Sequence, residues 1–226
     1  MCCVTLTTSS PAASVSHSAV PTGRATRPAA RCFRAAPEGR AMAMVVVVTG
    51  LPGAGKSTIA RCLRDALAWP LLAKDAIKES LFDSLGWSDR AWSKRVSVAS
   101  YDLMFRCAAE LLRVQVNCIL EGNFRWSENE HHFAHLTAEH APTFVQVFCS
   151  ASQPVLQARL RARATDAAAR HPGHVDAASL AELEAELCER PPTPLPLSGP
   201  LVRFDSTSPA APQADIVAQV LRHVRT

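Results

Sequence analysis

From Met44 onward, apolar runs of strand length alternate with stretches of helical period. Met44–Thr49 is apolar almost throughout and ends in a glycine-rich turn, the pattern of a central parallel strand buried on both faces. Ser57–Ala68 predicts a helix with Ile59, Leu63 and Leu67 on one side. Pro70–Ala73 reads as a short second strand and Ala76–Leu85 as a helix. Over 89–116, Val96, Leu103, Cys107, Leu111 and Val114 recur at helical spacing and predict one long helix. A third strand at Asn117–Leu120, a helix at Glu128–Glu139, a fourth strand at Thr143–Cys149 and a helix at Pro154–Ala169 follow. A helix capped by Asp176 runs to Glu189 with Leu180, Leu183 and Leu187 as its stripe. A Pro-rich connector, 191–200, leads to a fifth strand at Leu201–Phe204. The last helix, about 213–224, buries Ile216, Val217, Val220, Leu221 and Val224. Five strands interleaved with helices imply an α/β domain: a five-stranded parallel sheet with helices on both faces.

Composition leaves that picture intact and sets residues 1–41 apart. An apolar share of 48% with 19% charged residues suits a globular domain, and no run approaches the roughly 20 apolar residues of a membrane-spanning helix. Residues 1–41 are rich in Ser, Thr, Ala, Pro and Arg, hold one acid (Glu38), and show no apolar period, so they are expected to stay unfolded. They read either as a targeting segment or as a start placed upstream of Met42 or Met44; the missing amphipathic period favours the second. The formal charge of +4 resides there, leaving 19 Lys+Arg against 19 Asp+Glu from Met42 onward. A domain without basic excess lacks the footprint of a general nucleic-acid binder. The eight Cys show no metal-ligand spacing, and the five of the folded part read as small hydrophobes of a reducing compartment, so the expected location is the cytoplasm.

Chemistry concentrates first between the first strand and its helix. Gly50, Leu51, Pro52, Gly53, Ala54, Gly55, Lys56 and Ser57, with Thr58 behind them, match the phosphate-loop pattern GxxxxGK[ST] in full. Glycines let main-chain amides turn inward around a β-phosphate, and the helix that follows aims its positive end at the anion. Lys56 adds a charge over the β- and γ-phosphates and the Ser57 hydroxyl is a magnesium ligand. The expected cofactors are therefore ATP and Mg²⁺.

Further candidates stand at other strand ends, where ligands of such folds gather. Asp75, after the second strand, could take a proton from an attacking hydroxyl or could cap helix 76–85. Glu121, ending the third strand, is the candidate second acid for the metal or its waters. Asn123 and Arg125 lie on the same rim. Arg159, Arg161 and Arg163 crowd one helix ahead of Arg170 and the turn His171-Pro-Gly-His174. Residues 159 and 163 share a face and could neutralise a transferring phosphoryl group; the plainer reading is a solvated basic face.

GLPGAGKST, KDAIKESLFDSLG, ILEGNF, the Arg-rich segment and RHPGH together resemble the P-loop small-molecule kinases, the group that includes zeta toxin, chloramphenicol phosphotransferase and the polynucleotide 5′-kinase domain. The resemblance covers about residues 44–225. It implies a P-loop NTPase fold with an Arg-rich lid at about 159–175, Lys56 as a catalytic residue, Asp75 as general base, and Arg159 and Arg163 as phosphate contacts. The strand end Phe204-Asp205-Ser206-Thr207 resembles the part that borders the adenine. The activity implied is transfer of the γ-phosphate of Mg-ATP to a hydroxyl of a small-molecule acceptor. Slow ATP hydrolysis without a dedicated acceptor and 5′-hydroxyl phosphorylation of nucleic acid are the alternatives, the second disfavoured by the neutral charge. The paired His131 and His135, and Trp87, Trp92 and Trp126, read as surface and packing residues rather than as a metal site or an aromatic acceptor wall.

Overall fold

The computed structural model describes residues 42–166, 170–189, 193–208 and 212–224. The N-terminal extension 1–41 lies outside the described residues, as do 167–169 of the expected lid and 191–192 of the connector. Strands β1 (Met44–Gly50), β2 (Leu71–Ala73), β3 (Cys118–Glu121), β4 (Thr143–Ser150) and β5 (Leu201–Asp205) form one parallel sheet in the order β2-β3-β1-β4-β5. Between and after them run α1 (Lys56–Leu67), α2 (Lys74–Leu85), α3 (Arg90–Arg113), α4 (Trp126–His140), α5 (Gln153–Thr165), α6 (Asp176–Glu189) and α7 (Gln213–Val224). This is the expected α/β architecture. No described helix is long and apolar enough to cross a membrane.

The four valines of β1 explain why the sheet is covered twice. Successive strand side chains point to opposite faces. Val46 and Val48 join Ile59 and Leu63 of α1, Leu156 of α5 and Ile216 of α7, while Val45 and Val47 join Met104 and Phe105 of α3 and Phe133 and Leu136 of α4. All four valines are fully buried, each a contribution of roughly 1.5–3 kcal/mol.

Three local expectations need correction. In α3 the buried face is Val96, Tyr101, Met104, Phe105, Ala108 and Leu112, whereas Leu103, Cys107 and Val114 are exposed. Apolar residues occupy both sides of this helix, and the sheet selects the face whose side chains fill its groove. In α2 the helix begins at Lys74 with Ala73 as its N-cap, so Asp75 sits in the first turn and caps nothing. Helix α6 likewise starts at Asp176 itself, Ser179 donating its amide to the Val175 carbonyl, and the Asp176 carboxylate turns to Arg170.

Strand register assembles the crevice. Glu121 is level with Val48 of β1 on one side and Ala73 of β2 on the other. The loop after β1, the first turn of α2 and the Glu121–Asn123 segment therefore meet at one edge of the sheet.

Candidate active site

At that edge a cleft of about 630 Å³ is lined by Gly53, Gly55, Lys56, Ser57 and Thr58 of the glycine-rich loop, by Asp75 and Glu121, and by Arg163 and Arg170. Gly50 leaves β1 at φ 143°, and a Cβ there would stand 2.0 Å from the Cys149 carbonyl oxygen of neighbouring β4. Only glycine allows that approach. The N-terminus of α1 carries no side-chain cap and no acid in its first turn, so its free amides face outward beside the Lys56 cation. Such an end is chemically suited to an anion, and these residues fit a triphosphate. Lys56 Nζ donates to the Leu51 carbonyl within the loop, 2.9 Å away. Burial lowers its pKa, with Glu121 and Asp75 pulling the other way.

The metal candidates also converge. Ser57 Oγ donates to Glu121 Oε1 at 3.4 Å, two oxygen donors side by side. Burial raises the pKa of Glu121, with Lys56 opposing and Asp75 adding to the rise. A hydroxyl and a carboxylate side by side are hard oxygen donors, which fit Mg²⁺. Among the described residues no trio of His, Cys, Asp or Glu could hold a metal unaided, so an ion here would share its shell with phosphate oxygens and water.

Asp75 lines the cleft from the first turn of α2. Its carboxylate pairs with Lys74, 3.1 Å away, and with the Arg170 guanidinium, which also reaches Asp176. Partial burial opposes ionisation, yet Lys74 and Arg170 outweigh it and hold the pKa well below the usual carboxylate range. Asn123 receives a hydrogen bond from Tyr101 Oη (3.0 Å), and Arg125 pairs with Glu128 and Glu186. Both rim residues line the cleft.

The Arg-rich segment divides its labour. Arg163 lines the cleft. Arg159 does not: its Nη1 donates to the Gly53 carbonyl (2.8 Å) and to Ser206 Oγ (2.9 Å), and its Nη2 to the Ser206 carbonyl (2.8 Å). Ser206 Oγ in turn donates to the Ala54 carbonyl at 3.1 Å. Arg159 and Ser206 thus tether the phosphate loop to the end of β5. Beyond α5, the turn at Pro172–His174 packs on α2. The His171 ring stacks on Phe82 (5.3 Å between centroids), and His174 Nε2 lies 2.9 Å from Glu79 Oε1. A Cβ on Gly173 would meet the Phe82 ring at 2.5 Å.

Arg170, Lys74, Lys78 and Tyr101 were not among the site residues expected from sequence. Lys74, Lys78 and Phe82 recur every four residues, which is the one sequence signal that could have marked a buried face of α2. Trp87, Trp92 and Trp126 do not line this cleft. Trp92 donates to the Gly86 carbonyl, Trp87 packs on His171 and Trp126 on Phe133.

Comparison with known proteins agrees with this geometry. A family model described as an AAA domain matches residues 45–191. A solved protein of Chloroflexus aurantiacus J-10-fl, whose kinase designation is provisional, is 40% identical over 81% of this chain and 99% of its own, with a TM-score of 0.75. The protein APE1195 is 20% identical over 81% of this chain and 95% of its own, with a TM-score of 0.51, a likeness of fold alone. No curated protein matches the chain. The family match spans most of the chain and falls on the loop, strands and helices that build the cleft; this protein belongs to the AAA-domain family and has its phosphate-loop fold.

Proposed function

We propose that the protein is an ATP-dependent phosphotransferase that moves the γ-phosphate of Mg-ATP to a hydroxyl of a small-molecule acceptor. One observation carries the reading: Asp75, a carboxylate outside the nucleotide loop, shares with Lys56 and the Ser57–Glu121 pair a cleft that extends to Arg90, Lys94 and Ser97 of α3. A cleft that extends past the loop to a second helix has room for an acceptor beside the nucleotide. The provisional kinase designation of the Chloroflexus relative agrees with it.

In this reading the α1 amides and Lys56 grip the β- and γ-phosphates. Ser57 and Glu121 would hold Mg²⁺, which when bound draws charge from the phosphate oxygens. Asp75 accepts the proton of the acceptor hydroxyl as its oxygen bonds to the γ-phosphorus, and the bond to the β-phosphate oxygen breaks to release ADP. Arg163 and Arg170 neutralise the moving phosphoryl group. Arg159 acts as a positioning residue, since its guanidinium holds the loop that holds the phosphates. Closure of the cleft over the reactants keeps water from competing with the acceptor.

Two variants separate binding from chemistry. Lys56→Ala is expected to lose ATP association in magnesium buffer. Asp75→Asn is expected to bind ATP normally and to transfer its phosphate about 10²–10⁴-fold more slowly. Full transfer by Asp75→Asn would remove the base from the mechanism.

A further inference from the structure

A buried cation of the cleft has no role in the reading above. Lys78, 3% exposed, lies one helical turn beyond Lys74 on α2 and lines the cleft wall. Its ammonium donates to Ser93 Oγ at 2.8 Å and sits 5.3 Å from the centre of the Phe82 ring. Among the described residues it meets no carboxylate. The neighbouring cations are all paired: Lys74 with Asp75, Arg170 with Asp75 and Asp176, and Arg90 and Lys94 with Glu182. Burying an ammonium against one hydroxyl and a ring is costly, and an apolar side chain of that length would pack there without the cost. The cost is recovered if an anion completes its shell.

Position separates this cation from the nucleotide. The loop after β1 and the first turn of α1 supply the phosphate-loop side of the cleft, whereas Lys78 lines it from the second turn of α2 and bonds Ser93 of α3. Lys78 therefore belongs to the part of the cleft walled by α2 and α3, on the same helix as Asp75. There α2 and α3 contribute four cations, Lys74, Lys78, Arg90 and Lys94, and a single carboxylate, Asp75, to the cleft lining.

We propose that Lys78 anchors an anion subsite, so that the acceptor is a compact alcohol bearing a carboxylate or a phosphate, its anionic group on Lys78 and its reacting hydroxyl at Asp75. This rests on the phosphotransferase reading. Residues 75 and 78 are three apart on one helix, with Cβ atoms roughly 5–6 Å from each other, so the two groups of the acceptor are separated by only a few bonds.

The test uses the full chain loaded with magnesium and the non-hydrolysable analogue AMP-PNP, titrated calorimetrically with glycerate, glycerol 3-phosphate and inorganic phosphate, with glycerol as the neutral control. At least one anion is expected to bind and glycerol is not. A preference for glycerate identifies a carboxylate subsite, and a preference for the two phosphates a phosphate subsite. Lys78→Met, which keeps length and removes charge, is expected to weaken anion binding about tenfold or more while binding AMP-PNP as the wild type does. Lys78→Gln, still able to bond Ser93, should lose anion binding alike. Anion binding unchanged in both variants, or absent from the loaded wild type, overturns the subsite and leaves the phosphotransferase reading in place. A wild type that failed to bind AMP-PNP would remove both.

Discussion

The guanidinium of Arg170 grips the carboxylate of Asp75 across the cleft, so the candidate base and a candidate phosphate ligand neutralise each other when nothing lies between them. A γ-phosphate would compete for Arg170 and release Asp75 to the acceptor. Arg170→Met is expected to slow phosphate transfer by about 10²–10³-fold, the cost of one preorganised cation. Removing the cation also raises the Asp75 pKa from its depressed position, since Arg170 is one of the charges holding it down. The acid limb of the kcat/KM profile should therefore move to higher pH in the variant. An unmoved limb would mean that Arg170 does not bear on the base.

Lys78 makes a stability prediction independent of any ligand. Burial, with Lys74 next in effect, brings its pKa from 10.5 down to about 7 in the folded protein. Between those values the unfolded chain carries the extra proton, so folding stability rises with pH across that window and is flat in this respect below it. Lys78→Met lacks the group and should be more stable than the wild type near neutrality. That advantage should shrink between about pH 7 and about pH 10, as read from denaturant midpoints. The charges facing Lys78, namely Lys74, Asp75, Arg90 and Arg170, are present in both proteins.

Gly173 fixes the approach of the turn at Pro172–His174 to α2. An added Cβ would lie 2.5 Å from the Phe82 ring, itself fully buried. Gly173→Ala is expected to lose about 1–3 kcal/mol in urea unfolding. Phe82→Leu, made in the same chain, should relieve part of that loss, with a coupling of about 0.5–3 kcal/mol between the two sites. Additive losses would place the clash elsewhere.

Much of the fold and the loop end of the cleft was legible in the chain because local signals carried it. The apolar run ending at Thr49 and the GxxxxGK[ST] pattern each state their own structure, and Glu121 follows from where its strand ends. What was not legible depends on contacts distant in sequence. Leu103 and Met104 are equally apolar, and only packing against the sheet places Met104 inside. Arg159 and Arg163 share a helix face, yet the nearness of Gly53 and Ser206 draws one guanidinium to the loop and leaves the other on the cleft. A lysine such as Lys78 reads as solvated in any sequence; α3 crossing over it through Ser93 is what buries it.

The reading stands or falls on where the γ-phosphate goes. With γ-labelled ATP, magnesium, the full chain and a panel of metabolites and antibiotics bearing hydroxyl groups, label should appear on one organic product in step with ADP, and ADP formation should be slow without that acceptor. If every panel member left all the label in inorganic phosphate, released at a rate no acceptor altered, the protein would be an ATPase and not a phosphotransferase.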